Sequence, residues 1–245
     1  MKPNERHALC IPAAPWGLRD LLFAILVVFG GIVALNLVLL AASRIAGVPL
    51  AQDGNVLVIF VIAQDTLLLG AAWLFSAARY HIGWDRLGLR RFDVPLGCAL
   101  GLGLLIASYA VRFCYVGAAY ALGLRFAVQE AMTRLGSDGV GFPLALAIVA
   151  LVAPIVEEIF FRGFLYGGLR GRIGVVGAML ASSVFFTALH FTLELFLPIF
   201  VLGLFLAWLY EYTGSLYPGI LLHAANNALA LIAFLVLQAA GLTPV

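Results

Sequence analysis

Apolar runs long enough to cross a bilayer follow one another along nearly the whole chain. Helices are predicted at 21–42, 55–78, 94–124, 142–168, 174–190, 195–211 and 216–240, because about 20 mostly apolar residues cover the hydrocarbon core. The breaks between them carry turn chemistry or charge: Gly47-Val48-Pro49 with Asp53-Gly54, Arg79 to Asp93, Gly136 to Pro143, Gly171 to Gly174, His190 to Glu194, and Thr213-Gly214-Ser215. Seven crossings are expected, or eight if span 94–124 is two pieces broken near Arg112. The first span is too long for a signal-peptide core and has no convincing cleavage site after it, so it reads as a retained helix. No fixed-period repeat or linker interrupts the pattern. The expectation is all-α: a polytopic helical membrane bundle forming a single membrane domain over 1–245.

Composition agrees, with 64% hydrophobic and 11% charged residues and a mean hydropathy of +1.10, far from a soluble domain. The expected partner is therefore the lipid bilayer. A net charge of +2 makes no case for nucleic acid. Lys2, Arg6, Arg19, Arg79, Arg86, Arg90, Arg91, Arg170 and Arg172 fall on one side of the predicted topology, and Arg44, Arg125 and Arg134 on the other. Basic loops stay inside, so the N-terminus is expected in the cytoplasm. Cys10, Cys98 and Cys114 have no ligand-like spacing and read as buried small hydrophobes. Gly163, Gly167 and Gly171, like Gly97 and Gly101, recur every four residues, a spacing that lets backbones approach closely.

Against this background "APIVEEIFFRGF", Ala153 to Phe164, stands out. Each charge at a bilayer centre costs about 2.5–3.5 kcal/mol, so Glu157, Glu158 and Arg162 must face the interior or each other. Glu158 and Arg162 are four apart and share a face, which predicts an ion pair. Glu157 points about 100° away and is left without a local partner. Such a carboxylate is suited to hold or pass a proton. His190 and His223 also lie in spans, and Asn227, four residues after His223, aims at the same neighbour. Asn226 lies on another face, and His7 and His81 lie in polar flanks.

This convergent set suits hydrolysis. Glu157, helped by His190, could deprotonate a water, while His223 and Asn227 could donate to the oxyanion of a tetrahedral intermediate. Alternatively His190, His223 and a glutamate could bind zinc, although no HExxH spacing is present. Asp65, beside Gln64, is a further oddity, for which a pairing with Arg112 across helices is the simplest account.

At these residues the sequence resembles the CAAX protease and bacteriocin-processing (CPBP/Abi) intramembrane proteases, which include the type II CAAX prenyl endopeptidases. Two glutamates, three residues, then arginine are met by Glu157, Glu158 and Arg162; phenylalanine, three residues, then histidine by Phe186 and His190; histidine, three residues, then asparagine by His223 and Asn227. The resemblance covers about 142–240, and 1–141 resembles nothing recognised. It implies a helical bundle with a cavity, a glutamate-activated water, no cofactor, and a membrane-protein or peptide substrate. Zinc is the minority alternative. The composition suggests a GC-rich bacterium, hence its inner membrane. One difficulty is depth: His223 lies about 10 Å from the cytoplasmic end of its predicted helix and His190 about 24 Å from its own. Rival readings are a proteolytically silent immunity or scaffold protein, and a transporter relaying protons through Asp65, Arg112 and Glu157.

Overall fold

The computed structural model describes residues 11–124, 144, 147–190 and 192–240. Among them there are helices, turns and no strand. Helix α1 is Leu18–Ala46, α2 is Gly54–Ala72 with a π-helical extension Trp73–Ala78, and α3 is Val94–Ala121. Helix α4, Ala153–Glu158, is the α-helical middle of a rod with π-helix on both sides, Ile148–Val152 and Ile159–Tyr166. Helices α5 (Gly167–Ala188), α6 (Phe196–Thr213) and α7 (Tyr217–Ala239) complete the bundle.

Local chemistry sets the ends. Asp53 accepts from the backbone amides of Asn55 and Val56 to start α2, and Asp93 caps Leu96 at the start of α3. Gly47 and Gly214 stop α1 and α6 in the left-handed conformation. Inside α5, Gly174 has a φ of 73°, a region costly for any residue with a β-carbon, and there the rod folds back on itself. Phe186 on the returning arm meets Phe161 edge-on, with ring centroids 5.2 Å apart.

The α4–α5 hairpin is the centre of the molecule. Helix α2 packs against α4 and α1, α6 lies along α5, and α7 lies along the rod. Helix α3 packs on the far side, against α6 and α7. The core is aromatic where the hairpin closes: Trp16, Phe160, Phe161, Phe164, Tyr166, Phe186 and Tyr210 are all buried. Leu26 and Val38 on α1 and Ile106 and Phe113 on α3 face outward, as lipid contact requires.

Among the described residues five helices are long and apolar enough to cross a membrane: Leu18–Ala46, Gly54–Ala78, Val94–Ala121, Leu193–Thr213 and Tyr217–Leu237. The expected count of seven is not confirmed. The rod through α4 carries Glu157, Glu158 and Arg162. The arm of α5 after Gly174 is shorter than the roughly 20 residues a crossing takes. Helix α3 runs through Arg112 without a break, which removes the reason for an eighth crossing. Cys98 and Cys114 are exposed on α3 rather than buried, because that helix turns most of its surface outward. Lys2, Arg6, His7, Cys10, Arg125, Arg134 and the start of the span expected at 142 lie outside the described residues.

Candidate active site

Glu158 and Arg162 form the expected ion pair: Arg162 Nη1 donates to Glu158 Oε1 at 2.9 Å, and neither side chain has any exposure. Arg162 Nη2 donates to the Gly203 carbonyl of α6 at 3.0 Å. Its guanidinium carbon lies 4.4 Å from the centre of the Phe186 ring, a cation–π contact in a fully buried setting. Gly163 beside it has a steric reason to be glycine, since a β-carbon there would stand 2.5 Å from the Leu87 carbonyl oxygen.

His223 joins both glutamates. Its Nδ1 donates to Glu158 Oε1 at 3.2 Å, and its Nε2 stands 3.6 Å from Glu157 Oε2, beyond hydrogen-bonding range. The two adjacent carboxylates therefore differ. Glu158 is fully buried and held by a guanidinium and an imidazole, whereas the Glu157 side chain keeps 13% of its exposure and its Oε2 has no hydrogen-bond partner.

His190 closes α5. Its Nδ1 lies 2.8 Å from the Phe186 carbonyl oxygen, and a carbonyl only accepts, so Nδ1 carries a proton and Nε2 is the free position. It makes no hydrogen bond to either glutamate. Phe186 links the histidines instead, its ring centroid 4.7 Å from that of His190 and 5.5 Å from that of His223. Asn227 Nδ2 donates to the Val149 carbonyl at 3.1 Å, so His223 and Asn227 do reach the same neighbour, the π–α rod. Asn226 donates to Asn227 Oδ1, and its own carbonyl accepts from Tyr109 of α3.

Arg170 pairs with Glu211 near the end of α6. The Arg112–Asp65 pairing is absent: Arg112 lies over the Tyr109 ring, and both Asp65 oxygens are buried without partners. Sequence reasoning also missed the backbone partners, the Gly203 and Val149 carbonyls, which no side-chain pattern announces.

Among the described residues no three His, Cys, Asp or Glu side chains converge where a metal ion could sit. With the ring nitrogens of His223 turned to the two glutamates and His190 bonded to its own helix, the donor set for zinc is not assembled.

Two glutamates, an arginine and two histidines thus form a polar centre within a helical bundle. Residues 139–229, which hold all of these groups, match the family model described as type II CAAX prenyl endopeptidase Rce1-like. Over 90 residues the chain is 33% identical to the "Putative membrane peptidase YdiL" of Bacillus subtilis (strain 168), a match covering 37% of each chain. The match thus spans just over a third of that relative's length. No solved structure matches. This segment is thus similar to the CAAX protease (CPBP) family of membrane proteases.

Proposed function

We propose that the chain is an intramembrane endopeptidase that hydrolyses a peptide bond with a water activated by Glu157. The observation that carries this reading is the division between neighbouring carboxylates. Arg162 and His223 hold Glu158, while Glu157 faces His223 at 3.6 Å and has an oxygen free to take a proton. Glu157 is the general base, and it returns the proton to the leaving nitrogen. His190 offers Nε2 to the same water. Asn227 uses one amide N–H on Val149 and keeps a second, which would meet the developing oxyanion. His223, bonded to Glu158 with its Nε2 turned toward Glu157, helps to position Glu157 and, when both ring nitrogens carry protons, can donate from Nε2 to the oxyanion.

Similarity to that family over residues 139–229 supports a protease, and the retention of every motif residue argues against a silent scaffold. The missing Arg112–Asp65 link removes a step from the proton-relay reading. Substrates would be membrane-associated proteins or peptides, met from the cytoplasmic side of a bacterial inner membrane, with the N-terminus of the chain on that side. Mass spectrometry of protein termini in membranes from cells with and without the protein tests the activity. New termini are expected only in its presence, and identical sets would reject it. Cleavage should also survive prolonged chelation. Loss on chelation with rescue by added zinc would replace the glutamate mechanism by the metal one.

A further inference from the structure

Helix α2 carries a charge-bearing group that the machinery above leaves unused. Asp65 is 5% exposed, and neither carboxyl oxygen has a hydrogen-bond partner. An ionised carboxylate left so in a membrane interior is expensive enough that such groups take up a proton instead. What faces it limits the possibilities. The extension of α2, the turn Leu50–Gln52 and the π segment Ile148–Val152 bring no acidic or basic residue to it down to Ala78. On α1 the ionisable groups are Arg19, Asp20 and Arg44, near its ends, with Asp20 bonded to Tyr80 and Arg79. On the rod they are Glu157, Glu158, Arg162 and Tyr166. Glu158 and Arg162 neutralise each other, and Tyr166 donates to Glu211. Among the described residues that leaves Glu157, on the rod that α2 packs against, whose Oε2 is likewise unpartnered.

We infer that Asp65 is a positioning residue of the active site, holding one proton that it shares with Glu157 across the α2–α4 interface. Its place in catalysis rests on the function proposed above; the shared proton does not. Two carboxyls in one low-dielectric site keep a single proton between them, because both cannot ionise together. The pair enters the reaction with that proton. Glu157 takes a second from water as the water oxygen bonds to the carbonyl carbon and the carbonyl π electrons move to oxygen. The pair is then doubly protonated and uncharged. When the tetrahedral intermediate collapses, the C–N bond breaks, Glu157 gives a proton to the departing nitrogen, and the pair is left with one. Asp65 thereby holds Glu157 in its ionised form at the start of each cycle and removes the repulsion of a second negative charge.

Infrared spectroscopy of the full chain in lipid vesicles near neutral pH tests the shared proton without any substrate. A protonated-carboxyl C=O band, sensitive to deuteration, should be present, should vanish in Asp65→Asn and should shift in Glu157→Gln, which leaves Asp65 in place should the first variant fold poorly. A spectrum without that band, or a band that survives Asp65→Asn, overturns the inference. So does a band lost in Asp65→Asn yet unmoved by Glu157→Gln, which would make Asp65 an isolated buried acid. With a cleavable substrate, the pH profile of kcat/KM should lose its alkaline limb in Asp65→Asn and keep its acid limb. An unchanged profile at reduced activity means a structural role only. Cleavage by Glu157→Gln would sink the protease mechanism and leave the infrared result standing.

Discussion

Two charged networks hang from the same hairpin, and they are finished differently. Near the helix ends Arg170 grips Glu211 with two hydrogen bonds, at 2.7 and 2.6 Å, and Tyr166 adds a third at 2.5 Å, so both carboxylate oxygens are used. Bonding to Glu211 pushes the Arg170 guanidinium further up from its ordinary value. Deeper in, Glu158, Arg162, His223 and Glu157 are more buried yet leave Glu157 Oε2, Glu158 Oε2 and Arg162 Nε without partners. Buried polar atoms are nearly always satisfied in native proteins. A clamp would resemble the outer network. The inner one has kept capacity for groups that arrive and leave during a reaction.

Substitutions should separate the two networks. Glu157→Gln should lower turnover by about a hundred- to ten-thousandfold with little change in thermal stability, as seen by comparing cleavage rates and melting curves of purified protein. An active variant would make the inner network another clamp. Arg162→Ala strands Glu158 in the interior and should cost about 3–5 kcal/mol of stability, visible as low yield and a depressed melting temperature. A fully stable variant would mean that the pair is not formed. For Asn227→Ala, kcat should fall about a hundredfold or more while KM stays put. Normal turnover with raised KM would move that side chain to substrate binding. The outer network should matter least. Arg170→Ala, at a site about one-third exposed, should cost about 1 kcal/mol or less and leave cleavage intact, and His81→Ala should be silent.

Much of the inner network was legible because side-chain chemistry in oil is conspicuous. The Glu158–Arg162 pair, the partnerless Glu157 and the shared neighbour of His223 and Asn227 all follow from helical spacing. Hydropathy also placed α1, α2, α3, α6 and α7 correctly. It could not show that the rod through α4 is part π-helix, nor that α5 turns back on Gly174. Both depend on aromatic packing between segments distant in sequence, such as Phe161 on Phe186. Asp65 was misread for the same reason. Its hydropathy marks it as odd, but only packing tells that α2 lies beside α4 while α3, with Arg112, lies beyond α6 and α7. The exposed cysteines of α3 carry that lesson in reverse, since residues that look like core face outward when the solvent is lipid.

The central claim is that Glu157 activates the water that cuts the substrate. The most direct measurement incubates wild-type and Glu157→Gln protein, in identical vesicles made with oxygen-labelled water, with a substrate found by terminus mapping. The wild type should release two fragments, the new C-terminal carboxyl should carry label from solvent, and the variant should release neither while remaining folded. The same labelled fragments from Glu157→Gln at a comparable rate would contradict the account.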